Sequence, residues 1–178
     1  MRRARITYHG AFHHAMNRGH DGLKIFQKEE DKEFFLRLLG ETSRRLKTRI
    51  LVYCLMVNHY HLVLENTSSR MSDFFKQLNG QFGSYYRKKN KGRGYVFQDR
   101  YKSMLIQDDS YLSMVIGYVL NNPVRAALVD DFLEYKWSSA HLYYKKASSK
   151  IVDNNFVEEL FGSSNNLIRV PCVEMRNL

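Results

Sequence analysis

An α+β sandwich, in which helices cover an antiparallel sheet, follows from three patterns in the chain. Two segments carry apolar residues at helical spacing, strand-like runs precede, separate and follow them, and a third helical segment comes after the last strand. That order, β-α-β-β-α-β and then a helix, fits a ferredoxin-like sandwich.

Residues 6–17 mix Ile6, Tyr8, Phe12, His13, His14 and Met16 with small residues and end at Asn17-Arg18-Gly19, a first strand and its turn. Asp31 is placed to cap a helix on which Phe34, Phe35, Leu38, Leu39, Thr42 and Leu46 share one side. Residues 50–65 are strongly strand-forming, with Val57-Asn58 as the hairpin turn, so that His59 and His61 open the returning strand. Phe74, Phe75, Leu78, Phe82 and Tyr85 mark a second amphipathic helix. It runs into Arg87-Lys88-Lys89-Asn90-Lys91-Gly92-Arg93-Gly94, a basic loop punctuated by glycine. Tyr95-Val96-Phe97 and the run from Tyr101 to Ile106 read as strand. Asp108-Asp109-Ser110 supply a cap and favourable negative charge for a third helix, which Pro123 limits near Asn122. Its core stripe is Leu112, Val115, Ile116 and Val119. Residues 1–146 are expected to form one domain and 147–178 a tail, in which Phe156, Val157, Leu160 and Phe161 suffice for a short docking helix and Ser163 to Asn166 is linker-like.

A chain of 178 residues buries a real core without needing a second domain. Its net charge of +10 and pI near 9.6 call for a polyanionic partner, nucleic acid first. The 12 Tyr and 11 Phe add stacking surfaces that suit unpaired bases, although for any single ring burial in the core is the better reading. Cys54 and Cys172 are too few for a disulfide scaffold and lack zinc-ligand spacing, which favours a reducing cytoplasm. Met1-Arg2-Arg3-Ala4-Arg5 is basic but no apolar run follows it, so neither export nor a membrane partner is expected.

The chemistry begins at His59 and His61. Alternation along a strand sends both imidazoles to one face and Tyr60 to the other, close enough to hold one metal ion between them. A pair of partly buried, hydrogen-bonded histidines accounts for the same pattern. On the third helix Tyr118 and Asn122, four residues apart, form a second face beside the core stripe and offer a phenol and a carboxamide oxygen to such a metal. The alternative is a tyrosine at the core rim and an asparagine ending the helix. In the basic loop, five positive charges in seven residues make either a solvated surface or a phosphate-gripping finger, and the overall charge favours the finger.

Three successive segments carry a resemblance. Tyr53-Cys54-Leu55-Met56-Val57-Asn58-His59-Tyr60-His61-Leu62-Val63-Leu64-Glu65, then Phe97-Gln98-Asp99-Arg100-Tyr101, then Gly117-Tyr118-Val119-Leu120-Asn121-Asn122-Pro123-Val124-Arg125-Ala126 resemble the signatures of the single-tyrosine, His-hydrophobic-His transposases, which include the REP-associated tyrosine transposases. Trp137-Ser138-Ser139 after Tyr135 is similar to that family's ending, and the likeness runs from about Ile6 to Tyr143. The resemblance implies His59 and His61 as metal ligands, Tyr118 as nucleophile on a helix after the core, and Asn122 as the polar ligand one turn later. One departure is Val57, where relatives often carry proline; it alters the turn more than the chemistry. Tyr111 competes as nucleophile but has Val115 where a polar partner would stand.

The implied activity is nicking and strand transfer on single-stranded DNA, at hairpins, through a 5′-phosphotyrosine, with Mg²⁺ or Mn²⁺ as cofactor. Two imidazoles and an amide are a neutral set, better suited to Mn²⁺ than to Mg²⁺ and completed by a DNA phosphate. Arg87, Lys88, Lys89, Lys91, Arg93, Arg100 and Arg125 are the expected DNA contacts. Relatives act as monomers or as homodimers. Two rivals stay open: a domesticated protein that binds DNA hairpins without cutting, and a metallophosphodiesterase that uses water in place of tyrosine.

Overall fold

A computed structural model describes residues 6–144 and 149–161. The basic N-terminus Met1 to Arg5, Cys172, and the linker-like run Ser163 to Asn166 lie outside the described residues. The strands are β1 (Phe12–Arg18), β2 (Arg49–Leu55), β3 (His59–Glu65) and β4 (Lys102–Ile106). The helices are α1 (Glu29–Leu46), α2 (Met71–Asn90), α3 (Asp109–Leu120), α4 (Asn122–Arg125), α5 (Ala140–Tyr144) and α6 (Asn154–Phe161).

The strands form one sheet in the order β2-β3-β1-β4, and every pairing between neighbours is antiparallel. This is the expected ferredoxin-like α+β sandwich. Alternation along β3 divides the interior in two. Tyr60, Leu62 and Leu64 pack with Phe35, Leu39, Phe74 and Phe82 of α1 and α2, whereas Val63 packs on the opposite face with Leu112, Val115, Ile116 and Val119 of α3. The predicted core stripe of the third helix is therefore the observed one. Asp108 caps that helix, its carboxylate accepting from the Tyr111 amide at 2.8 Å, which satisfies a backbone donor the helix itself leaves free.

Local rules fail where tertiary contacts win. Asp31 is not the cap of α1; Lys28 holds that position, and Asp31 sits buried in the first turn, accepting from the Tyr85 hydroxyl and paired with Lys89. The first strand starts only at Phe12, because Gly10 takes φ +81° in the turn ahead of it. Tyr95-Val96-Phe97 is not a strand: it makes one isolated bridge, Phe97 to Gly19, while Tyr95 stands in solvent. The first half of the basic stretch is helical, since α2 continues through Asn90 and Lys91 closes it in a left-handed conformation with φ 49°. Arg87 and Lys88 thus project from a last turn whose dipole they offset.

The outer edge of β2 is covered by the chain that follows α4. Leu55 N–H donates to the Trp137 carbonyl, Ser139 N–H to the Tyr53 carbonyl, and the Tyr135 hydroxyl to the Leu55 carbonyl. Trp137-Ser138-Ser139 therefore has a backbone role in closing the sheet. Helix α6 lies on the α3 side of the sheet, with Val157 buried there and the Phe156 ring stacked on Phe12 at 5.5 Å. None of the helices among the described residues is long and apolar enough to cross a membrane.

Candidate active site

Because Val63 faces α3 and Tyr60 faces α2, alternation places His59 and His61 on the α3 side of the sheet. Tyr60 confirms the split by donating its hydroxyl to Asn79 of α2 at 2.9 Å. The two imidazoles stand nearly perpendicular, ring centroids 4.9 Å apart and planes at 85°. Each makes its hydrogen bond through Nδ1: His59 with the Asn58 side-chain oxygen at 2.7 Å, His61 with Nε2 of His14 at 2.9 Å. That arrangement leaves the two Nε2 atoms as the natural ligating atoms.

Tyr118 comes down from α3 onto the same spot. Its ring meets His61 edge-on at 6.1 Å and His14 at 5.9 Å, and the Arg125 guanidinium lies over the Tyr118 ring, 4.8 Å from its centroid. Tyr111, the competing tyrosine, packs at the margin of the α3-side core. The Asn122 amide turns back on its own helix, Nδ2 donating to the carbonyls of Tyr118 at 2.9 Å and Val119 at 3.4 Å. This is the helix-ending role; the same bonds leave the carboxamide oxygen as the atom available to a ligand.

The electrostatics suit an anion. Burial, helped by Arg18, lowers the pKa of His59; burial, helped by His14, His59 and Arg125, lowers that of His61 well below the ordinary imidazole value. Burial alone takes His14 to about 4. The pair is thus kept neutral, the state in which an imidazole ligates a metal, while fixed cations surround it. Across the sheet Arg18 is the direct partner of His59, and Met16 lies between His61 and Lys102. Among the described residues no group of three or more His, Cys, Asp or Glu forms a ready metal cage. Two neutral imidazoles and an amide fit a divalent ion only if oxygens from elsewhere, such as a phosphate, complete its sphere.

The predicted basic residues do not form one finger. Lys88, Lys91 and Arg93 are exposed, and Arg87 reaches the Gly94 carbonyl at 3.4 Å. Lys89 turns inward to Asp31 and Glu30, so its charge is already matched. Arg100 is exposed in the loop before β4, next to Gln98, whose amide donates to the Arg18 carbonyl at 2.9 Å. Gly19 N–H donates to the Asn58 carbonyl of the 56–58 hairpin turn and His20 N–H to the Val96 carbonyl, so the segment that follows the basic stretch runs past the His59 end of the sheet.

His14, Arg18 and Lys102 are missing from the residues that sequence reasoning selected. The signal for His14 was an imidazole in the first strand at the parity of Phe12 and Met16, but only the pairing of β1 with β3 brings it to His61.

The fold and this cluster together define a histidine pair on a ferredoxin-like sheet with a tyrosine-bearing helix laid over it. A family model, the IS200-like transposases, matches residues 7–122, and the chain belongs to that family. Among solved structures, the chain is similar to a REP-associated tyrosine transposase bound to a REP hairpin, at 14% identity and a TM-score of 0.68, covering 86% of this chain and 92% of that one. It is also similar to a protein from Deinococcus radiodurans described as a candidate transposase, at 14% identity and a TM-score of 0.47, covering 65% of this chain and 93% of that one. No curated protein sequence matches.

Proposed function

We propose that this transposase is a metal-dependent enzyme that nicks single-stranded DNA at hairpins and transfers the strand through Tyr118. The observation that carries this reading is the convergence of Tyr118 from α3 on His61 from β3, beneath Arg125 and with Arg18 across the sheet from the neighbouring His59. His59 and His61 would hold Mg²⁺ or Mn²⁺ through Nε2, with the Asn122 oxygen as third protein ligand. When bound, the metal polarises the scissile phosphate and offsets charge on its oxygens.

The chain's own part is then direct. The Tyr118 oxygen attacks phosphorus, the bond from phosphorus to the 3′ oxygen breaks, and the proton that the phenol gives up to solvent is balanced by the one the 3′ oxygen takes from it to leave as a 3′-hydroxyl. A phosphodiester replaces a phosphodiester, so a new 3′-hydroxyl reverses the attack and joins strands without further energy input. Arg18, Arg125 and Lys102 would neutralise the incoming phosphates, and Lys88, Lys91, Arg93, Arg87 and Arg100 would follow the strand outward. The hairpin-bound transposase of the same fold supports a hairpin as the substrate form.

The test is a set of single-stranded oligonucleotides that carry hairpins, incubated with the protein in Mn²⁺ and in chelator. Mn²⁺-dependent cleavage that leaves one end on protein is expected. Cleavage that gives only free ends would favour the water-using phosphodiesterase, and metal-indifferent binding without cleavage the domesticated binding protein.

A further inference from the structure

We infer that His14 is a positioning residue for His61: it accepts the His61 Nδ1 proton and so directs the Nε2 lone pair of His61 toward the metal. The inference rests on the metal reading of the histidine pair proposed above. His14 reaches His61 diagonally across the sheet, since β1 pairs with β3 so that Met16 opposes His61 and His14 opposes Val63. The two rings lie nearly parallel, with 25° between planes and centroids 5.1 Å apart, and each residue is 2% exposed.

A hydrogen bond between two neutral imidazole nitrogens has two forms. If His14 Nε2–H donates, His61 carries its own proton on Nε2 and cannot ligate there. If His14 accepts, His61 is protonated on Nδ1 and its Nε2 lone pair is free. His59 decides between them by example: Asn58 offers an oxygen, which only accepts, so His59 is protonated on Nδ1. Two imidazoles that share one ion through equivalent nitrogens need the same tautomer, and His14 supplies to His61 what Asn58 supplies to His59. A leucine would fill the same buried space more cheaply than an imidazole, which has to be hydrogen-bonded there. The edge contact of His14 with Tyr118, at 5.9 Å, gives the ring a second neighbour in the site.

The experiment reads the tautomer directly and then the metal. Long-range proton–nitrogen correlation spectra of ¹⁵N-histidine-labelled protein at neutral pH, without metal, should show His61 protonated on Nδ1. In His14→Phe, which keeps the volume and removes the acceptor, the His61 signals should shift toward the Nε2-protonated form. Manganese resonance titrations with a hairpin oligonucleotide present should then give Mn²⁺ binding about 10- to 100-fold weaker than in the parent protein. His14→Gln, whose amide oxygen accepts, should recover much of both signals. A parent protein with His61 protonated on Nε2, or a folded His14→Phe with unchanged Mn²⁺ affinity, would overturn the role of His14. If the parent protein binds no Mn²⁺ with or without hairpin, the metal reading falls instead, while the tautomer spectrum still reports on the hydrogen bond.

Discussion

The Tyr118 ring stands perpendicular to the imidazole of His61, planes at 90° and centroids 6.1 Å apart. Neither element alone dictates that meeting. It follows from the packing of Val115, Ile116 and Val119 on the face of the sheet that also carries His61, which fixes the rotation of α3 and aims Tyr118 at the histidines.

Replacing either histidine separates binding from chemistry. His59→Ala or His61→Ala should lower hairpin cleavage in Mn²⁺ by about 1000-fold or more, because several kcal/mol of transition-state charge stabilisation is lost. Hairpin affinity, read by gel shift, should change little, since phosphate contacts elsewhere dominate it. Full activity of either variant would remove the metal from the mechanism.

Much of this arrangement is legible in the chain because it is local. Parity puts His59 and His61 on one face, helical spacing selects Leu112, Val115, Ile116 and Val119, and Asp108 announces the start of α3. What is hidden depends on partners distant in sequence. His14 becomes part of the site only through strand register, Lys89 leaves the basic group only because Asp31 is buried opposite it, and Tyr95-Val96-Phe97 has strand-forming residues but finds no strand to pair with beyond one bridge.

That division among the basic residues is measurable. Neutralising Lys88, Lys91 and Arg93 together should weaken binding to DNA of many sequences and flatten the dependence of log K on log salt, by up to about 0.7 per lost phosphate contact on single strands. Lys89→Met should leave the salt slope alone and instead lower stability by about 2 kcal/mol, because it leaves the buried carboxylate of Asp31 without its cation and with only the Tyr85 hydroxyl to donate to it. A steeply reduced slope in Lys89→Met would mean that this lysine reaches DNA.

Acid should destabilise the protein through its buried histidines, His59 and His61 acting in the same direction as the two of the first strand. Burial takes His13 from 6.5 to about 4 and His14 likewise to about 4. Both are neutral when folded, so between these values the unfolded chain binds protons that the folded one refuses, and stability falls as pH falls. The loss is complete near the folded value and amounts to at most about 3 kcal/mol for each histidine. Urea midpoints measured across this range should decline steadily. His13→Gln, which can keep a hydrogen bond to Thr7, should show a shallower decline than the parent, and an identical slope would show that His13 does not contribute.

The sharpest prediction concerns the covalent bond, because only a tyrosine mechanism requires one. On a hairpin substrate in Mn²⁺, the fragment upstream of the nick, labelled at its 5′ end, should run free with a 3′-hydroxyl. The 3′-labelled fragment should stay on the protein through denaturation, and peptide mapping should place the nucleotide on Tyr118. Tyr118→Phe removes one hydroxyl and keeps the ring that packs against His14, His61 and Arg125, so folding and hairpin affinity should be preserved. The adduct must then vanish. If it persists in Tyr118→Phe or maps to Tyr111, the nucleophile is misassigned; if cleavage continues with both ends free, water is the nucleophile and the phenol only lines the site.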